Sequence, residues 1–434
     1  MSQYRAYPAY KDSGVEWIGQ VPEHWKIAQI KRISALNPRK STLSEEKDSL
    51  CTFLPMEKLR TNAVTLDETR PIHEVYGGYS YFCDGDILIA KVTPCFENGN
   101  IAVANGLVNG IGFGSTEINV LRVNGKGHNR FLYYRLQEEQ FRTIAKSEMR
   151  GTGGLKRVPT DLFESFTIGL PDTDEQATIA ATLDQETARI DALIEKKTRF
   201  IELLKEKRQA LITHAVTKGL DRNAKMKDSG IEWIGQVPEH WEVKPFFALV
   251  TELNRKNVGL VETNILSLSY GNIIQKPETR NMGLTPESYE TYQIVESGEI
   301  VFRFTDLQND KRSLRSAQVT QRGIITSAYM AVKPQSIDST YFAWLMRSYD
   351  LCKVFYAMGG GLRQSLKFED VRRLPVLIPP VDEQSAITNT INAGTARIDA
   401  LVEKTEQSIT LLKERRAAFI TAAVTGQIDL RGKQ

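Results

Sequence analysis

The 434-residue chain has four cysteines, five histidines and no apolar run of membrane-spanning length, and each scarcity closes off a class of protein. Cys51, Cys83, Cys95 and Cys352 lie far apart without a Cys-x-x-Cys pair. That argues against a disulfide framework or a zinc site and leaves reduced core thiols as the default. The histidines form no His-Glu-x-x-His pair, so no metal constellation is expected. No stretch of eighteen apolar residues occurs, and Met1-Ser2-Gln3-Tyr4-Arg5 lacks the apolar centre of a signal peptide; the expected location is the cytoplasm. Charge nearly balances, with 56 Lys+Arg against 53 Asp+Glu, so any basic surface has to be local.

Enzyme signatures are missing as well. No Asn-Pro-Pro-(Phe/Tyr) or Asp-Pro-Pro-Tyr motif of an adenine methyltransferase is present. Asn37-Pro38-Arg39-Lys40 departs where a second proline would help shape the adenine pocket. Gly432-Lys433 is no Walker loop, because no helical pattern follows it. A formal nuclease pattern runs from Pro171-Asp172 to Glu195-Lys196-Lys197. It lies along one helical stretch, where a rise of 1.5 Å per residue holds the carboxylates more than about 30 Å apart, too far to share a metal.

What is present is a repeat. Lys11 to Trp25, Lys-Asp-Ser-Gly-Val-Glu-Trp-Ile-Gly-Gln-Val-Pro-Glu-His-Trp, returns as Lys227 to Trp241, with Ile231 in the place of Val15. A second echo joins Asp174-Glu175-Gln176 through Ala215-Val216-Thr217 to Asp382-Glu383-Gln384 through Ala423-Val424-Thr425 at a uniform offset of 208 residues. Between the echoes only scattered residues agree. The half that stays alike is expected to face one partner twice, and the half that diverges to face two different things. With 41% hydrophobic and 25% charged residues, the chain is a folded protein of two to four domains.

In the divergent regions, Asp86 to Ala90 and Glu299 to Phe302 follow Gly85 and Gly298 as strands entered from a turn. Ile118 to Val123 and Tyr329 to Lys333 are further strands, and Phe131 to Tyr134 and Tyr341 to Trp344 are aromatic helical stretches. Matching element order with differing residues gives two α+β domains of one fold. Each copy closes in a long helix. Asp172-Thr173-Asp174-Glu175 supplies a capping pattern, and Pro379-Pro380-Val381-Asp382-Glu383 opens the second helix similarly. Leu183, Ile190, Leu204 and Leu211 recur on a seven-residue grid beside Ile194, Ile201 and Ala215; Ile391, Ile398, Leu412 and Phe419 do so beside Val402, Ile409 and Ala423. The interruptions agree too, Lys197 meeting Thr405 and Arg208 meeting Arg416. The two helices are expected to pair, which periodicity alone allows in either direction. Paired copies imply an approximate twofold axis, and duplex DNA offers twofold axes on which two dissimilar lobes can meet two dissimilar half-sites, roughly 34 Å or a multiple apart.

These repeated motifs, together with Ala-Arg-Ile-Asp-Ala-Leu at 188–193 and 396–401 and Leu-Leu-Lys-Glu at 203–206 and 411–414, make the sequence resemble the specificity subunit of type I restriction-modification systems over nearly its whole length. The resemblance implies two similar target-recognition domains separated by two long helices packed as an antiparallel coiled coil, with an internal pseudo-twofold repeat. Each domain is expected to read one half of a split, non-palindromic duplex DNA target. The boundaries are an N-terminal motif at 1–25, target-recognition domains at 26–167 and 242–375, a central long helix at 168–221, a linker with the repeated motif at 222–241, a distal long helix at 376–430 and a tail at 431–434. The implied partners are double-stranded DNA, two methyltransferase subunits, and endonuclease/translocase subunits. S-adenosylmethionine, ATP and Mg are expected on those partners and none on this chain, which is itself non-catalytic.

Phosphate contacts call for clustered cations with glycines that let the backbone approach. In the first lobe the candidates are Arg142, Lys146, Arg150, Thr152, Lys156 and Arg157, with Lys91 on a separate loop beside Thr93 and Asn98. In the second they are Arg363, Gln364 and Lys367 after the glycine run at 359–361, and Arg303, Lys311 and Arg312 beside Thr305 and Asn309. Trp17, Trp25, Trp233 and Trp241 are expected to pack the junction of lobe and helix with His24 and His240, a methyltransferase contact being the alternative. Lys197, Arg208 and Arg416 are expected to ion-pair across the helices as a polar layer fixing register, binding of the partner being the alternative. Two rivals stand beside this reading, a self-sufficient restriction enzyme and a protein-binding adaptor.

Overall fold

The computed structural model describes residues 4–43, 46, 48–152, 154–276, 288–307, 314–358 and 365–432. The chain divides into two compact units, residues 1–197 with 407–434 and residues 198–406, so each long helix contributes to both.

In the first unit the repeated motif is a hairpin, Tyr10–Asp12 against Gln20–Pro22. Lys26–Gln29 then pairs with Thr167–Leu170, which brings the two ends of the lobe together directly before the helix. Between them lies an antiparallel sheet in the order Ile101–Val103, Ile87–Ala90, Ile118–Val123, Ser34–Leu36. Ile87-Leu88-Ile89-Ala90 is apolar throughout because this inner strand is covered on both faces. It is entered through Gly85, whose φ of 87° is a left-handed turn conformation open to glycine. Next to it, the Asp86 carboxylate accepts from the Cys83 backbone N–H at 2.7 Å and from Arg122 at 2.7 and 2.8 Å. A second sheet runs Thr69–Pro71, Leu50–Leu54, Ile111–Gly114, Ser80–Cys83, with the two middle strands parallel.

The second unit repeats this plan. Its hairpin is Met226–Asp228 with Gln236–Pro238, and Glu242–Pro245 pairs with Pro375–Ile378. Its sheet runs Ser316–Gln318, Ile300–Phe302, Met330–Pro334, Val250–Leu253, the same order in the same antiparallel sense. Gly298, at φ 90°, repeats Gly85, and Glu299 repeats Asp86 by accepting from the Glu296 N–H at 2.7 Å. The parallel element recurs as the bridge from Ile265 to Ile324. Mixed helix and sheet in two similar lobes thus follows the expected element order.

The long helices are Thr173–Lys218 and Val381–Val424, of 46 and 44 residues, or about 66–69 Å by helical rise. They begin later than 168 and 376, because the apolar residues ahead of each proline are ladder strands whose backbone groups bond to Lys26–Gln29 and Glu242–Pro245. Asp172 does cap the first helix, accepting from the Glu175 N–H at 2.9 Å, but Glu175 does not reach back to complete a capping box. In the first unit Ile179 and Leu183 share a core with Phe419, Ile420 and Ala423, and ion pairs join Asp191 to Arg416 at 3.0 Å and Glu175 to Arg431 at 3.7 Å. In the second unit Ile387 and Ile391 share a core with Ile212, Ala215 and Val216, and Asp399 pairs with Arg208 at 3.0 Å. Within each unit, then, the two helical segments run antiparallel, a direction the heptads left open. Leu183, Ile190, Ile201, Leu204, Ile391, Ile398 and Phe419 are buried, and Ile194, Leu211, Val402, Ile409 and Leu412 are half-buried.

Candidate nucleic-acid interface

Each lobe is locked to its helix by the same side chains. Gln176, fully buried, donates to Pro171 O at 2.9 Å and Lys126 O at 3.1 Å and accepts from the His128 N–H at 2.8 Å. Gln384 donates to Pro379 O at 2.8 Å and accepts from the Asp338 N–H at 2.8 Å. Glu175 and Glu383 take His24 and His240, each at 2.8 Å. The Asp-Glu-Gln motif is therefore a clamp: it ties the first helical turn to the lobe's own helix and to the hairpin. Trp25 and Trp241 are fully buried at these junctions, as expected, but Trp17 and Trp233 are 44% and 47% exposed. Their indoles come one hairpin turn earlier, where the core has ended. Trp17 lies across Phe166 with ring centroids 6.2 Å apart, and Trp233 meets the edge of Tyr349 at 6.5 Å.

In the first unit two loops that are remote in sequence form one platform. The Lys91 backbone accepts from the Val158 N–H at 2.8 Å, and Thr93 donates its N–H to Lys156 O at 2.9 Å. The Thr93 hydroxyl donates to Gly154 O at 2.8 Å and accepts from the Lys156 N–H at 3.0 Å. Arg150 and Arg157 exchange backbone bonds of 3.0 and 2.8 Å. Lys146, Arg150, Thr152, Lys156 and Arg157 are exposed around this lattice, with Lys91 half-buried at its edge. Arg142 departs from expectation. It is half-buried, its guanidinium lies over Gly99, and it donates to Glu97 O at 2.8 Å, so it braces the loop instead of facing solvent. Burial pushes its pKa below the usual arginine value without a paired carboxylate. Glu117 was not singled out from sequence; it grips Arg157 through two hydrogen bonds, Nε to Oε2 at 2.9 Å and Nη2 to Oε1 at 2.8 Å. The Arg157 guanidinium holds the Glu117 carboxyl below its usual range, with Lys91 adding to the effect.

The second unit builds the corresponding stitch from other residues. The Leu366 N–H donates to Phe304 O at 3.0 Å, which joins the segment carrying exposed Lys367 to the strand end carrying half-buried Arg303. Lys311, Arg312, Arg363 and Gln364, with Asn309 and the glycines at 359–361, lie outside the described residues. The loop brace here is Arg315, fully buried, which donates to Thr305 O at 3.0 Å, Asp306 O at 3.3 Å and the Tyr356 hydroxyl at 3.2 Å. No periodicity marks such an arginine in a sequence, since its role depends on contacts up to 41 residues away. Nearby, burial pushes Arg347 down to about 10 and raises the Asp350 carboxyl. Among the described residues no three His, Cys, Asp or Glu side chains converge as a metal site requires, and no helix is long and apolar enough to cross a membrane.

Residues 22–203 match the model of the type I restriction modification DNA specificity domain. Two type I restriction enzyme specificity subunits of Escherichia coli, EcoEI and EcoAI, are 32% and 36% identical over 38% and 37% of this chain. The chain spans only 28% and 27% of those relatives. The putative type I restriction enzyme MjaX specificity subunit of Methanocaldococcus jannaschii is 20% identical over 95% of this chain and 96% of its own length. A solved chain from work on complex assembly and conformational transition of the type I R-M system superposes with a TM-score of 0.71 at 13% identity, covering 93% of this chain and 98% of that one. The HsdS subunit from Thermoanaerobacter tengcongensis superposes with a TM-score of 0.56 at 15% identity, covering 94% and 98%. Local sequence and fold therefore agree: residues 22–203 match the type I restriction modification DNA specificity domain, and the chain as a whole is similar to type I restriction enzyme specificity subunits.

Proposed function

We propose that this chain selects duplex DNA for a type I restriction-modification complex and performs no bond chemistry itself. Each lobe reads one half of a split, non-palindromic target, and the two long helices act as an antiparallel coiled-coil spacer with approximate twofold symmetry. The repeated clamps and hairpins present the same surface twice, to two methyltransferase subunits, with an endonuclease/translocase joining that assembly. S-adenosylmethionine, ATP and Mg then belong to those partners.

One contrast carries the reading. The backbone stitch of the two platforms is alike, Val158 to Lys91 in one unit and Leu366 to Phe304 in the other. The side chains mounted on it differ: by sheet register Ala328 of the second lobe stands where Glu117 stands in the first, and Ser365 precedes Leu366 where Arg157 precedes Val158. A preserved scaffold with unlike cationic and polar displays suits two readers of different base sequences. Selection from random duplex DNA, by the chain alone and with its co-purified methyltransferase, tests the proposal. Enrichment of one split motif supports it. No enrichment in either form, with a protein partner captured instead, favours an adaptor.

A further inference from the structure

We infer that Arg157, held by Glu117, is a base-reading residue of the first lobe and that the base it reads is guanine. This rests on the DNA-selecting role proposed above. The guanidinium has two forks of parallel N–H donors. Glu117 occupies the side fork, Nε and one hydrogen of Nη2, at 2.9 and 2.8 Å. The end fork, Nη1 with the second hydrogen of Nη2, has no acceptor among the described residues. That fork has the spacing of guanine O6 and N7 in the major groove, the pairing that arginine makes bidentately.

Three further observations support reading over phosphate contact. The Arg157 backbone is pinned from two sides, by its exchange with Arg150 and by the bridge to Val92, so little freedom is lost when a base docks. The carboxylate offsets the charge of this one cation, which weakens its pull on phosphate while fixing its plane. Exposed Arg150 and Lys156 stand beside it with no strong partner, Arg150 lying 3.6 Å from Glu148, and suit the sugar-phosphate backbone. A pair this exposed adds little to folding, which leaves recognition as its use. The second lobe carries Ala328 and Ser365 at the matching places and therefore reads its half-site differently.

The test is selection from random duplex DNA by the full chain co-purified with its methyltransferase, comparing wild type with Arg157→Lys and Glu117→Gln. Lysine keeps the charge and loses the fork. The wild type is expected to require guanine at one position of one half-site. Arg157→Lys should lose about ten- to hundredfold of that preference at this position alone, with every other position and the salt dependence retained. Glu117→Gln should relax the same position by a smaller factor, and the retained remainder of the motif certifies that both variants are folded. An unchanged motif for Arg157→Lys overturns the inference. So does an equal loss of affinity for all sequences, which identifies a phosphate contact. If the wild type itself selects no motif, the proposed function fails, and the inference with it.

Discussion

Arg208 and Asp399 meet at 3.0 Å across the two long helices, and moving them by 208 positions in opposite directions gives Arg416 and Asp191, also 3.0 Å apart. Sequence repetition has therefore become structural repetition: each unit holds one copy of the same interhelical pair. Arg208 and Arg416 pair across the helices as the sequence suggested. Because the partners are partly exposed, each pair is expected to contribute about 0.2–1 kcal/mol. Arg208→Asp should destabilise by about that amount, and adding Asp399→Arg should restore it in a double-mutant cycle of chemical denaturation.

The glutamine clamps are worth more. Gln176→Ala leaves the His128 N–H and the Pro171 and Lys126 carbonyls without their buried partner, and Gln384→Ala does the same to Asp338 and Pro379. A loss of about 2–4 kcal/mol is expected for each, read as a lower denaturation midpoint with little change in slope. Glutamate in place of either glutamine keeps the acceptor, loses the donor, and should recover only part.

Gly426 ends the second helix at φ 77°, and a Cβ there would stand 2.4 Å from Pro22 Cδ and 3.3 Å from the Trp25 ring. Both neighbours are rigid, so Gly426→Ala is expected to cost about 2 kcal/mol or more from backbone strain and overlap together. Alanine in the place of exposed Gly106, also at positive φ but with open space around it, should cost less, and comparing the two melting temperatures separates the terms.

If the platform of the first lobe lies on phosphates, replacing Arg150 and Lys156 together by alanine removes two cations. The slope of log K against log salt should then fall by about 1.8, with base preferences kept. Measured affinities across a salt series check this, and an unchanged slope removes these residues from the interface.

Much of this was legible from residues alone because it is local or periodic. Glycine before an apolar run marked the strands Ile87–Ala90 and Ile300–Phe302, and seven-residue spacing marked the helices and their buried positions. The rest depends on contacts distant in sequence. Lys91 and Lys156 had looked like two separate patches until the Thr93 hydroxyl joined their loops across more than sixty positions. Arg142 resembled its exposed neighbours, yet Gly99 leaves room beneath it and turns it into a brace. Glu117 gave no signal, since a single acidic residue before a strand is ordinary until Arg157 is found opposite. Trp17 and Trp25 sit in one motif and look equivalent, and only the end of the core separates them.

The central claim is that one chain carries two different readers at a set separation. Its most direct test is long-read mapping of methylated adenines in cells expressing this chain with its methyltransferase, before and after seven residues are inserted into each long helix. The account predicts two unlike half-motifs across a constant gap, and an insertion that changes the gap or abolishes methylation while leaving the half-motifs unaltered. A single continuous motif, or a split motif whose gap and yield ignore the helix length, would contradict it.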